Sequence, residues 1–397
     1  MNRWQSFMKH MRTHWPSYRA RLLGSGGRKG LLYYIIIYFL SITFSFVFIY
    51  PIFYMFMISL MSNTDLVDST ILWIPSKIYW NNYLFSLRGL KLHIPYYQVV
   101  SETFQAINAT PEELLELTAL EAPVGVELRK FFFFITLPIT VTLFGSIYTK
   151  EPGKILGVTV LFVAFVMILP VSYVNSIYLA GTTTLVTVIS SAFIGYGLAR
   201  FSFKGKGFIF AMMILIYILP KMLLFIPRWL IYTNLGIRGT ILALWLPAFF
   251  GQGVQATFFI LIFFQFFRMI PAQIEESAFL DGANSFNIFV KIAIPMALPA
   301  FVIALTYGFA VNWNELFLSN AYLDGYIKTI PMNLQNLQAQ WGAVADYSVG
   351  SDYTEVDFTE AKSFAGTILS IIPLVIMYGF VQRYFIESID KSGIAGE

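Results

Sequence analysis

The stretch Pro271-Ala-Gln-Ile-Glu-Glu-Ser-Ala-Phe-Leu-Asp-Gly-Ala283 lies between two long apolar runs, at about 239–267 and 292–312. Pro271 suits the first turn of a helix, where backbone N–H groups have no partner inside the helix anyway. Glu275, Glu276 and Asp281 give that helix a polar side, while Ile274, Ala278 and Phe279 give it an apolar one. Gly282 is placed to end it, because glycine adopts positive φ without strain. A second helical stretch then runs through Lys291 into Ile292-Ala-Ile-Pro295 and Pro299. The pattern predicts two short helices joined at a glycine and laid along a membrane between two spans, with carboxylates turned to the cytoplasm. Such an element suits a groove on a soluble partner.

The rest of the chain supplies the membrane part. Of its 397 residues 57% are hydrophobic and only 12% charged, against about 25% charged in soluble domains. A spanning helix needs roughly 20 mostly apolar residues to cross a hydrocarbon layer about 30 Å thick. Eight segments qualify, at about 31–61, 131–148, 155–173, 177–199, 207–227, 239–267, 292–312 and 364–382. The predicted fold is therefore an all-α integral membrane protein. None of the runs carries an ionisable residue well inside it, which argues against proton coupling and against an intramembrane enzyme. The absence of cysteine excludes disulfides, thiolate metal sites and cysteine nucleophiles. His10 and His14 are four apart but have no carboxylate nearby, so they read as a tail pair without metal. No Gly-x-x-x-x-Gly-Lys-Ser/Thr loop occurs, so this chain does not hold ATP in that way.

Charge placement orients the spans. Arg3, Lys9, Arg12, Arg19, Arg21, Arg28 and Lys29 precede the first run, and no acid precedes Asp65. This reads as a cytoplasmic tail and not as a nucleic-acid patch. Counting crossings from it puts 149–154, 200–206, 268–291 and the carboxyl terminus inside, and 62–130 and 313–363 outside. Lys150, Lys154, Arg200, Lys204, Lys206, Arg268, Lys291, Arg383 and Lys391 then lie on the cytoplasmic side. Lys221, Arg228 and Arg238 fall outside, near a stretch from Pro220 to Pro227 that reads as partly re-entrant.

Glu276-Ser-Ala, Asp281-Gly-Ala and Ile294-Pro295 with Pro299 resemble the EAA loop of ABC-importer permeases, with Ser277 in place of the first alanine. Trp73-Ile-Pro-Ser76, Asn81-Asn82-Tyr83, Asn175-Ser-Ile177, Tyr196-Gly-Leu-Ala-Arg-Phe201, Trp313-Asn314-Glu315 and Gln382-Arg-Tyr-Phe385 resemble, in order, segments of carbohydrate-uptake permeases of the kind of the second permease of the maltose system. The resemblance covers about 30–85 and 174–390. It implies six spans in the type I importer arrangement plus an inserted pair, multi-pass in a bacterial inner membrane with both termini cytoplasmic. It also implies three protein partners: a second permease in a heterodimer, an ABC ATPase dimer that carries ATP and Mg, and a solute-binding protein outside. No cofactor is expected in this chain.

The residues implied for ATPase coupling are Glu275, Glu276, Ser277, Ala278, Asp281, Gly282, Ala283 and Pro295, with Glu276 pairing with a base on the ATPase and Asp281 capping the second helix. Ser190, Ser191, Tyr196, Trp313 and Asn314 are candidates to line the path, and Trp341 to meet the binding protein. The tail, Ile386-Glu-Ser-Ile-Asp390 and Lys391-Ser-Gly-Ile-Ala-Gly396, departs from the family's glycine-rich end. A type I permease for an osmolyte or peptide is one alternative, and a stand-alone secondary transporter or channel is another.

The organisation read from this is a basic tail at 1–30, the first span and outer segment at 31–86, an insertion at 87–173, the core at 174–390 with its loop at 271–291, and a tail at 391–397. Within the insertion, Pro111-Glu-Glu-Leu-Leu-Glu-Leu-Thr-Ala-Leu-Glu121 echoes the loop, laying Glu116 on Glu276. Crossing parity nevertheless places 101–130 outside.

Overall fold

The computed structural model describes residues 24–25, 28–71, 73–107, 109–110, 117, 123–145, 152–253, 255–323, 325–337 and 359–393. Trp341, Glu116, His10, His14 and most of the amino-terminal tail lie outside the described residues. Among the described residues the chain is helical apart from one two-residue antiparallel ladder, Gly24–Ser25 with Arg28–Lys29. It divides into two compact units: one takes the residues up to Asn82 with Thr359–Ala365, the other Tyr83–Phe358 with Gly366–Glu397.

In the first unit, α1 (Leu31–Ser59) is apolar all round, and apart from the half-buried Tyr50, Met55 and Met57 its side chains are exposed until Ile58 and Ser59. A helix of this kind is built for lipid or for other spans. It ends against α2 (Asn63–Val67), which starts at a reciprocal cap in which Ser62 accepts from the Asp65 backbone and Asp65 from that of Ser62. Asn82 closes the turn by donating to the Ser59 and Met61 carbonyls at 3.0 and 2.8 Å.

The second unit begins with α3 (Asn81–Gly89, from its third residue) and α4 (Tyr96–Ala106), followed by the inserted pair α5 (Val124–Gly145) and α6 (Pro152–Ile168). Its centre is α7 (Val171–Arg200), 30 residues long and buried along most of its length. Small residues let neighbours close on it: a Cβ at Gly195 would meet the Phe263 side chain at 2.7 Å, and one at Gly308 would meet Thr184 at 2.9 Å.

Among the described residues, three helices are long and apolar enough to cross a membrane alone: Leu31–Ser59, Val171–Arg200 and Glu360–Tyr384. The other expected spans are shorter or broken, and the reasons are local. Pro170 cuts the 155–173 run, so that its last residues join α7. The 207–227 run becomes α8 (Lys206–Ile218) and, after a bend of 96° at Pro220, α9 (Phe225–Asn234). The 239–267 run splits into α10 (Leu242–Phe249) and α11 (Ala256–Met269), because Gly251 at φ 71° and Gln255 at φ 60° reverse the chain between them. Beyond the 271–291 loop, Ser285–Met296 meets Leu298–Trp313 at 76°.

The sequence reading also missed a charge. α5 starts seven residues before the expected span and draws in Glu127 and Lys130, and Lys130 is fully buried. Its Nζ lies 2.6 Å from Glu127 Oε1 and 2.7 Å from Asn175 Oδ1 on α7, and Asn175 donates in turn to the Lys328 carbonyl at 3.0 Å. The insertion is thus fastened to the core by a buried, neutralised cation. Removing one partner of such a pair costs about 3–5 kcal/mol, whereas replacing both by apolar residues is often neutral. Lys130→Ala is therefore expected to lower the melting temperature of the detergent-purified chain sharply, and Lys130→Met with Glu127→Leu to recover most of the loss. A double variant as unstable as the single one would show that charge, and not filling, is what this joint needs.

Candidate functional site

The loop after α11 forms the two short helices that its sequence predicts. Pro271 precedes α12 (Ala272–Leu280), and Gly282, at φ 83°, ends it. The Ala283 N–H returns to the Ala278 carbonyl and the Gly282 N–H to that of Phe279, both at 3.0 Å, so the last carbonyls of α12 are satisfied. The next helix, α13 (Ser285–Ile288), is capped by Asn284, which accepts from the Asn287 N–H at 2.8 Å. Capping of the second helix therefore falls to Asn284 and not to Asp281, the C-terminal boundary residue of α12. A π turn over Phe289–Ala293 leads to Pro295, which is exposed in the short α14 (Ile294–Met296).

The two glutamates of α12 have different surroundings. Glu276 is exposed, as are Ser277, Asp281, Phe279, Leu280 and Phe286, while Ala278 is half-buried. Glu275 turns inward, and its Oε1 lies 2.9 Å from Arg200 Nε in the last turn of α7. Arg200 also donates to the Ile270 carbonyl at 2.6 Å. One guanidinium thus ties the end of α7 to both sides of the bend that leads into α12. Above it, Tyr196 packs on Phe267 and Phe289 with ring centroids 5.3 and 4.9 Å apart. The sequence reading took Arg200 as an orienting charge and placed Glu275 among the ATPase-coupling residues with its carboxylate turned to the cytoplasm, whereas the fold buries that carboxylate against Arg200. That they meet was not readable, because 75 positions separate them.

The five path candidates are not brought together. Ser190 donates to the Ala248 carbonyl at 2.6 Å and Ser191 to that of Ala256 at 3.3 Å, so both join helices. Tyr196 belongs to the aromatic packing above Arg200, and Trp313 is 2% exposed beside Phe309. Asn314 is exposed and donates to its own helix at Ala310. A cavity of about 460 Å³ lies elsewhere, between α7, α8, α9, α10 and the 312–322 segment, and none of the five lines it. Its polar lining includes Thr183, Arg228, Gln252, Gln255, Glu315 and Tyr322, with Thr257, Asn312 and Ser319 beside them. Sequence periodicity could not have found it, because Gln252 and Gln255 reach it only through the turn that breaks the run.

Burial holds the Glu275 carboxyl above the ordinary carboxylate range, and the neighbouring Arg200 opposes this. An acid whose pKa is raised on folding contributes stability at low pH and loses it as pH rises through the raised value. Arg200→Gln removes the opposing cation, so the purified variant is expected to lose more stability than wild type between about pH 4 and pH 7. Adding Glu275→Gln should abolish that extra slope. Melting curves across this range check it, and parallel pH profiles for wild type and Arg200→Gln would deny the coupling.

Residues 191–391 match the family model described as binding-protein-dependent transport system inner membrane component. Over 229 residues the chain is 30% identical to the probable ABC transporter permease protein YurM of Bacillus subtilis, a match covering 56% of this chain and 69% of that one. It is 28% identical over 225 residues to the arabinooligosaccharides transport system permease protein AraQ of the same organism, covering 56% and 73%. Among solved structures, a chain from a bacterial ABC transporter involved in import of the acidic polysaccharide alginate has a similar fold, with a TM-score of 0.54 and 20% identity over 89% of this chain and 96% of that one.

Proposed function

The chain belongs to the family of binding-protein-dependent transport system inner membrane components and is the permease of an ABC importer, and we propose that its solute is a sugar or oligosaccharide. The observation that supports coupling to a soluble ATPase is the exposed pair of short helices at 272–288, with Glu276, Phe279, Leu280 and Phe286 outward and Arg200 fixing its root. A carboxylate set among apolar side chains fits a groove lined by apolar residues around one base. In this reading the ATPase dimer holds α12, Glu276 pairs with a base there, and Ser277 and Ala278 allow close approach. Asp281, Gly282 and Ala283 make the turn, and Pro295 sets the entry into the next span. ATP and Mg stay on the ATPase, and a second permease, as a heterodimer partner, completes the path.

Names of relatives such as AraQ support the carbohydrate reading. The solute-binding protein is assigned to the outer side, where 338–358, outside the described residues, contains Trp341 as a contact. Both termini are assigned to the cytoplasm by the distribution of Lys and Arg.

Charge reversal or bulk at the docking helix is expected to uncouple the importer, since an unpaired charge buried at an interface costs several kcal/mol. Glu276→Lys and Gly282→Leu should each abolish uptake and ATPase stimulation while the permease still inserts in the membrane. Normal transport by both would remove the assignment.

Orientation has its own test, made clean by the absence of cysteine. Glu116→Cys should react with a membrane-impermeant maleimide in intact cells, or in spheroplasts where an outer membrane is present. Glu276→Cys should react only after permeabilisation. Protection of position 116 until the membrane is opened would make 101–130 cytoplasmic and reverse the assigned topology of the insertion.

A further inference from the structure

The segment that leads into 338–358 is held at two points. The first is Leu337, the residue before 338–358, which is 1% exposed. Gly89 is the last residue of α3, and a Cβ there would overlap Leu337 Cδ1, so Leu337 can sit this close only because position 89 has no side chain. From the other side comes Gly366, in the carboxyl-terminal helix (Glu360–Gly393), where a Cβ would lie 3.2 Å from Leu337 Cδ2 and 3.7 Å from Leu90 Cδ1. Leu337 and Gly366, on either side of 338–358, thus meet on a base made by Gly89 and Leu90. The second hold is the start of α7. Ser172 accepts from Asn333 Nδ2 at 3.1 Å, Ser176 accepts from the Ile330 N–H at 2.9 Å, and Asn175 donates to the Lys328 carbonyl at 3.0 Å. The insertion orients that asparagine. A side-chain amide has nearly the same shape either way round, but Lys130 can only donate, so it turns the Asn175 oxygen toward α5 and the amide N–H groups toward Lys328.

We propose that Gly89 and Lys130 are positioning residues for the outer loop: through Leu337 and Asn175 they fix where 326–337 stands, and so how the importer presents this side to a solute-binding protein. Both positions are buried, Lys130 fully, so neither meets a partner directly. A loop whose root is already fixed docks with less ordering left to do, so these holds act on affinity for the partner and not on ATP hydrolysis. The insertion acts on the same root twice, because its backbone is also paired to the entry of α7: the Tyr96 N–H donates to the Leu169 carbonyl and the Val171 N–H to that of Ile94, both at 2.9 Å. This inference rests on the assignment above of the binding protein to the outer side, and adds to it the residues that set the docking geometry.

The test uses the permease assembled with its partner permease and ATPase in lipid nanodiscs. The solute-binding proteins of the source organism are purified and added one by one, and ATP hydrolysis is followed against the concentration of one that stimulates wild type. Gly89→Ala displaces Leu337, and Lys130→Met with Glu127→Leu frees the Asn175 amide while keeping the joint filled. Each should raise the half-saturating concentration of binding protein about threefold to tenfold, the effect of leaving one or two more side chains to be ordered on docking. The basal rate and the rate at saturation should stay as in wild type. Adding Leu337→Val to Gly89→Ala removes the atom that the new methyl displaces, and should bring half-saturation back toward wild type. Thr140→Val, on α5 with its hydroxyl used at the Thr136 carbonyl of its own helix, should change nothing. Half-saturation equal to wild type in both Gly89→Ala and the Lys130, Glu127 double variant overturns the inference while the importer assignment stands, and so does a fall in both rates at unchanged half-saturation. Failure of every binding protein to stimulate wild type overturns the outer-side assignment and this inference with it.

Discussion

A backbone N–H or C=O left without a partner in hydrocarbon costs several kcal/mol, so every interruption of a membrane helix must be repaired by a neighbour. The break between α10 and α11 shows the repair. Helix α10 ends at Phe249, and the Ala248 carbonyl near its end accepts both from the Gly251 N–H at 3.1 Å and from Ser190 of α7 at 2.6 Å. Ser191, one residue on, donates to the Ala256 carbonyl at 3.3 Å, which ties α7 to the first residue of α11. The Gln252 N–H closes on the Pro247 carbonyl at 2.7 Å within the turn itself. The turn is closed by its own backbone and braced by α7, and it brings Gln252 and Gln255 to the wall of the cavity.

This explains which parts of the molecule were legible in the sequence. Apolar runs announced helices, since run length and hydropathy are local properties. The glycine turn at Gly282 was equally local, and its positive φ and returning N–H groups follow from residue type. Breaks were harder. Pro220 signalled one, but nothing in 239–267 says that Pro247 stays inside a helix while Gly251 and Gln255 reverse the chain. Polar residues inside spans were misleading for a related reason. A serine in an apolar run looks like part of a path, yet the same hydroxyl is equally suited to mend a neighbouring helix, and only tertiary contacts decide between the two.

Lys130 and Arg200 illustrate charge that sequence reading treats as a side marker. Both sit just beyond an apolar run; the orientation rule counted Arg200 and stopped there, and Lys130 entered no reading. In the fold each becomes a fastening at an end of α7: Lys130 reaches Asn175 in the second turn, and Arg200 in the last turn holds Glu275 and the Ile270 carbonyl. The two differ in solvent access. Lys130 is fully buried and exactly neutralised by Glu127 within its own helix, which makes it a fixed joint. Arg200 and Glu275 are mostly buried as well, with 15% and 11% of their side chains exposed, so a little water reaches their pairing.

Thr183, at the cavity, and Arg200, at the docking helix, are seventeen positions apart on α7, a distance of roughly 25 Å along a helix rising about 1.5 Å per residue. Between them Ala192 and Gly195 are packed tightly against α11, with Phe263 and Phe267 closing the gap. Such packing resists local bending, because cores at this density are nearly incompressible. Helices α7 and α11 thus form one packed pair between the docking helix and the cavity.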